Sequence, residues 1–227
     1  MMRPDLKDLL LAESEKFGAR VGAEQIDAFD RYLSLIQEYN QKLNLTGIHD
    51  EDGIVIKHFI DSLAAAQFME KDWLALDIGS GMGCPGIALK IAVPGLRMIL
   101  LESNHKKCAF LNQAARTLQL SNTRAVAERA GSAKPLADLA GRVDAALARA
   151  LGKLPVLAGL AGPYLKPGGK LIAYKGADVE QELQELRLSK PGRGFVHSGT
   201  FDYNLPFNSG ARKILVLEKV QEVKVIG

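Results

Sequence analysis

The residues with the clearest chemical potential are three glycines at alternate positions, in Asp77-Ile78-Gly79-Ser80-Gly81-Met82-Gly83. An apolar run, Leu74–Ile78, leads into them, and a helical pattern with proline in its first turn follows from Pro85. Glycines at a strand-to-helix turn let backbone N–H groups approach a ligand that a Cβ would keep away. Glu102 closes the next apolar run, 23 residues past Gly79. A carboxylate there can accept both hydroxyls of a ribose.

Three ligands compete for such a loop. A nucleoside triphosphate would require lysine after the last glycine, and Ile87 follows Gly86. A dinucleotide would want a third glycine where Cys84 stands, and a substrate domain for which the chain leaves no room. S-adenosylmethionine fits better. Asp77 can hold water or the ammonium of its zwitterionic end, and Gly79 and Gly81 can admit it closely. After a further apolar run, Ala130-Gly131 offers small residues against which an adenine ring can lie.

Other candidates are sparser. Arg149 ends another apolar run, where it can orient a substrate or form a structural ion pair. His58 and Asp61, three apart on a helical pattern, can bond each other. The four histidines are scattered and accompany no carboxylate cluster, so no metal is expected. No triad for nucleophilic catalysis is apparent, and the catalytic residue stays unknown.

These positions need a scaffold. Leu6, Leu9, Leu10 and Phe17 keep to one helical face, and Ile26, Phe29, Leu33, Ile36, Asn40 and Leu43 mark a longer helix. Asp50 can cap a third, carrying Ile54, His58, Leu63 and Phe68. From Trp73 onward strands and helices alternate. Strands are expected at Leu74–Ile78, Arg97–Leu101, Thr123–Ala127, Asp144–Ala148 and Lys170–Tyr174. Helices are expected at Pro85–Val93, Lys106–Leu118, Leu154–Leu165 and Asp178–Leu188, with a closing hairpin of Gly194–Phe201 and Arg212–Lys219. The fold class is therefore α/β: a doubly wound, mostly parallel, seven-stranded sheet with helices on both faces. A helical extension over residues 1–70 is expected to precede an S-adenosylmethionine-binding domain over 71–220, and 221–227 reads as a tail.

At this point the chain closely resembles the bacterial small-subunit (16S) ribosomal RNA guanine-N7 methyltransferases, the glucose-inhibited division protein B family. The likeness rests on Asn44-Leu45-Thr46, His58-Phe59-Ile60-Asp61-Ser62-Leu63, the glycine loop running on into Cys84-Pro85-Gly86-Ile87, Leu101-Glu102-Ser103, Lys106-Lys107, Arg149-Ala150 and Lys175-Gly176. It implies a class I, Rossmann-like methyltransferase with cofactor contacts at Gly79, Cys84, Ala130, Gly131 and Arg149. It also implies a guanine in the decoding-centre loop of 16S RNA as acceptor, in naked RNA or in the small subunit. Where the family often has Arg-x-Glu after the third strand, this chain has Arg129-Ala130-Gly131. Asn44, His58, Asp61, Lys106, Lys107 and Lys175 are the candidate RNA contacts, the lysines because cations at that edge neutralise phosphates. Guanine N7 carries a lone pair and no proton, so in-line methyl transfer needs positioning rather than a general base.

Composition agrees without deciding. A content of 47% hydrophobic and 24% charged residues suits a globular protein, and a net charge of +3 permits a nucleic-acid partner without demanding one. Cys84 and Cys108 have no CxxC spacing and read as buried free thiols. No leader or membrane-length apolar run is visible, and a cytoplasmic monomer is expected. Two rival functions remain. One is a methyltransferase for a small molecule or protein; the other is an RNA-binding assembly factor that has lost activity.

Overall fold

The computed structural model describes residues 1–131 and 136–220 of the chain; the tail at 221–227 lies outside the described residues. Among the described residues seven strands form one sheet: β1 (Leu74–Ile78), β2 (Arg97–Glu102), β3 (Thr123–Ala127), β4 (Val143–Arg149), β5 (Leu165–Lys175), β6 (Phe195–Asn204) and β7 (Ala211–Lys219). Their order is β3-β2-β1-β4-β5-β7-β6. The first five run parallel, while β7 pairs antiparallel with both β5 and β6. This is the doubly wound, seven-stranded sheet that the alternating pattern predicts.

Period-two alternation along each strand supplies both faces. Met98, Leu100, Ala145, Leu147, Ile172 and Val216 enter one core, and Ile99, Leu101, Ala146, Ala148, Leu171 and Leu217 enter the other. The first core is covered by α1 (Pro4–Lys16), α2 (Ala23–Leu43), α5 (Gly86–Ala92) and α6 (His105–Thr117). The second is covered by α7 (Leu154–Ala161) and α8 (Glu180–Leu188). The N-terminal helices share one apolar cluster with the sheet: Phe29 and Tyr32 pack on Phe59, and all three lie in the cluster that holds Ile87 and Leu100. Among the described residues no helix is long and apolar enough to cross a membrane. Cys84 and Cys108 are buried free thiols.

Three boundaries depart from the sequence pattern. The helix expected to reach Leu165 stops at Ala161, because Gly162 and Pro163 disfavour continuing it. Leu165 instead opens β5, which pairs Val143 with Leu165 and then Ala145 with Lys170, so Lys166–Gly169 bulges out of register. The expected third helix is broken into α3 (Glu51–Ile54), a π-helical turn over Val55–Ile60, α4 (Asp61–Leu63) and a 3-10 turn at Ala66–Phe68. The widened turn sits where His58 and Asp61 face the sheet, a common setting for π-bulges.

Candidate active site

The strand order reverses between β1 and β4, so the carboxyl ends of these strands diverge and leave a crevice. The glycine loop leaves β1 there. Gly79, Gly81 and Gly83 take φ values of 73°, 58° and 98°, which a side chain would strain. The loop is clasped from beneath. Gly79 and Ser80 N–H donate to the Leu101 carbonyl at 2.8 and 3.0 Å, and Gly81 N–H donates to the Glu102 carboxylate at 2.9 Å. The other Glu102 oxygen accepts from Asn104 N–H at 2.8 Å. Each oxygen keeps a second lone pair for a ligand hydroxyl. A Cβ on Gly81 would meet nothing but the Gly79 carbonyl at 3.9 Å, so the space above the loop is open.

Asp77 sits under the loop, 1% exposed, accepting from Gly86 N–H at 2.9 Å. Burial pushes its carboxyl up to about 6. From the N-terminal extension Tyr32 donates its hydroxyl to the Met82 carbonyl at 2.6 Å, fixing the loop's outer limb. Cys84 lies 3.7 Å from the same hydroxyl, and burial pushes its thiol up.

Across the crevice Arg149, at the end of β4, gathers the groups of the broken helix. Its Nη1 donates to Asp61 Oδ2 at 3.0 Å and to the Lys57 carbonyl at 2.9 Å, while Nη2 lies 3.0 Å from His58 Nδ1. His58 and Asp61 thus share Arg149 instead of bonding each other as their spacing suggests. Asp61 also accepts the Tyr203 hydroxyl at 2.7 Å, and Arg212 Nε stands 4.0 Å away. The Arg149 and Asp61 side chains are 15% and 7% exposed, so this is a hydrogen-bonded pair of a buried carboxylate and a largely buried guanidinium. A guanidinium has no acceptor, so His58 Nδ1 must be bare and Nε2 must carry the proton. Burial, with the Arg149 and Lys57 charges beside it, pulls the His58 imidazole down to about 3, so it is neutral at physiological pH. Its Nε2–H donates to Thr46 Oγ1 at 2.8 Å.

Gly79, Gly81, Cys84, His58, Asp61, Arg149 and Lys175 all line one cavity of about 610 Å³, together with Thr46, Lys57, Tyr174 and Arg212. Glu102 adjoins it through the Gly81 bond. Ala130 and Gly131 (φ 83°) lie past the end of β3, further along the same sheet edge. Lys106 and Lys107 open α6, their N–H groups capped by the Asn104 side chain. Lys175 is already engaged: its Nζ donates to Glu182 and the Gly152 carbonyl, both at 2.6 Å. Asn44 is exposed, in the left-handed region (φ 47°) at the end of α2. Sequence reasoning passed over Thr46, Lys57, Tyr174, Tyr203 and Arg212. Thr46 and Arg212 carried a signal, since they stand in the Asn44-Leu45-Thr46 and Arg212-Lys213-Ile214-Leu215-Val216 segments of the likeness; the tyrosines carried none. Ala150, at φ 54°, also lines the cavity in a conformation that favours glycine. Among the described residues no group of three or more metal-ligating side chains occurs.

Comparison with known proteins adds the lineage. The family model described as rRNA small subunit methyltransferase G matches residues 25–201. A protein named ribosomal RNA small subunit methyltransferase G from Carboxydothermus hydrogenoformans is 39% identical over 91% of this chain and 88% of its own length. The protein of the same name from Acetivibrio thermocellus is 37% identical over 96% of this chain and 90% of its own. Among solved structures, M. jannaschii TYW2 in complex with AdoMet aligns with a TM-score of 0.58 at 14% identity, over 78% of this chain and 80% of that one. That likeness concerns the fold.

Proposed function

The chain belongs to the rRNA small subunit methyltransferase G family, and on that premise we propose that it moves the methyl group of S-adenosylmethionine to N7 of a guanine in the decoding-centre loop of 16S ribosomal RNA. The observation that carries this reading is a single cavity bounded on one side by the glycine loop and on the other by the Arg149 cluster. Such a cavity can hold a methyl donor and a flipped-out base together.

The residues fit the donor. The open space above Gly81 accepts a ligand against bare backbone, and the spare lone pairs on Glu102 suit ribose hydroxyls. Asp77, buried below the loop, supplies negative potential toward an ammonium, and Ala130-Gly131 leave room for an adenine face. When bound, S-adenosylmethionine supplies an electrophilic sulfonium methyl.

The remaining work is positioning. N7 has no proton to lose, so no group here acts as a base. Arg149, largely buried, holds its charge in an ion pair with Asp61, which limits repulsion of a base becoming cationic. Lys57, exposed at the cavity's rim, and Lys106 at the start of α6 would meet RNA phosphates in this reading. Tritiated methyl from S-adenosylmethionine tests the substrate class. Label is expected in 16S RNA, supplied naked or as small subunits; label in protein or small molecules alone would overturn the reading.

A further inference from the structure

The hydrogen bonds around Thr46 fix more than a shape. The Arg149 guanidinium can only donate, so His58 Nδ1 accepts and His58 Nε2 donates to Thr46 Oγ1 at 2.8 Å. Turning the imidazole over would set ring carbons against both partners. Thr46 Oγ1 also accepts from Ile48 N–H at 3.1 Å. A hydroxyl has two lone pairs and one proton. Both lone pairs are therefore taken, and among the described residues no acceptor receives the proton. The Thr46 backbone is pinned as well: its N–H and carbonyl both bond the Asn40 side chain, at 2.9 Å each. A rigidly held hydroxyl that can only donate thus lines the cavity shared by Gly79 and Arg149.

We propose that the Thr46 hydroxyl donates to O6 of the target guanine and is the residue that separates guanine from adenine at this site. The inference rests on the guanine-N7 reading above. Beside N7, guanine presents the acceptor O6, whereas adenine presents the N6 amino donor. A hydroxyl with a free lone pair would serve both bases by rotating. Here Arg149 and His58 remove that freedom, so adenine would bring a donor against a donor. They act on the base through Thr46 and are positioning residues in this respect. The donor is also neutral, which suits a ring that gains positive charge as N7 takes the methyl.

The test pairs a protein change with a base change. Small subunits are assembled with 16S RNA carrying guanine or 2-aminopurine at the methylated position; 2-aminopurine keeps N7 and lacks O6. Thr46→Val is expected to raise KM for the guanine substrate about tenfold, the size of one neutral hydrogen bond. Calorimetric affinity for S-adenosylmethionine should hold. Wild type should lose the same factor with 2-aminopurine, and Thr46→Val should lose nothing further with it. Thr46→Ser, which keeps the hydroxyl, should recover most of the loss, and discrimination against adenine should weaken in Thr46→Val. Multiplying losses, an unimpaired wild type on 2-aminopurine, or a fall in cofactor affinity would overturn the assignment. Thr46→Cys, a weaker donor, replaces the valine variant if that does not fold, with a smaller loss expected. Wild type leaving guanine unmethylated would instead overturn the underlying reading, and does so before any variant is compared.

Discussion

Replacing Arg149 by methionine should damage stability and activity together, by an amount the structure lets us work out. The Asp61 carboxylate, 7% exposed, would lose its bond from Nη1, and His58 Nδ1 would lose its donor. Breaking a buried pair from one side typically costs about 3–5 kcal/mol, because a charge stays behind. Tyr203 still donates to Asp61 and Arg212 stands 4.0 Å off, so the lower end, about 3 kcal/mol, is expected. With a urea dependence of about 2–3 kcal/mol per molar, the midpoint should fall by roughly 1 M at constant slope. Arg149→Met combined with Asp61→Asn removes both charges and should recover roughly half of that loss, so the two substitutions should be strongly non-additive. Equilibrium urea unfolding of wild type, both single variants and the double variant measures this. Strictly additive losses, or an Arg149→Met cost below about 1 kcal/mol, would refute the view that Arg149 joins sheet and extension. Methyl transfer should fall further than stability explains, since His58 and Thr46 lose their orientation.

Gly79→Val places a branched side chain at φ 73° with its Cβ 2.9 Å from Leu151 Cδ1; it should cost about 2 kcal/mol, melt several degrees lower, and bind no S-adenosylmethionine by calorimetry. Asp77 titrates at about 6 in the folded chain against 3.8 unfolded, so its favourable contribution is complete below pH 3.8 and is lost as pH rises through 6. Asp77→Asn should therefore gain on wild type by about 3 kcal/mol between pH 4 and 7, while weakening the cofactor; parallel stability profiles for the two proteins would contradict this. Replacing Lys106 and Lys107 with alanine should lower the slope of log K against log salt for RNA by about 0.7–0.9 per lost phosphate contact, with cofactor affinity unaltered; an unchanged slope removes both from the RNA surface.

The glycine loop was legible because its demands are local. Gly79, Gly81 and Glu102 lie within one strand-turn-helix-strand unit, where spacing maps directly onto geometry. The parallel sheet was legible for a similar reason, since apolar runs of five or six residues alternate with helical periods. The Arg149 cluster was not. Its partners Lys57, His58 and Asp61 stand 88 to 92 residues earlier in the chain, and Tyr203 lies 142 residues from Asp61. No periodicity encodes contacts at that range. The π turn escaped because a helical apolar pattern survives one widened turn. The bulge before Lys170 hid behind Pro167-Gly168-Gly169, which reads as a plain loop. Thr46 was passed over since its role depends on the proton of His58, twelve positions along the chain, whose place is set by Arg149.

The most direct test is the identity and place of the methylated nucleoside. Small subunits from cells lacking the enzyme would be treated with the protein and S-adenosylmethionine. Their 16S RNA would then be digested for mass spectrometry and probed by strand cleavage specific to N7-methylguanosine. One N7-methylguanosine, at a single decoding-centre position, is the predicted result. Label on another atom, another base, or many scattered guanines would contradict the account.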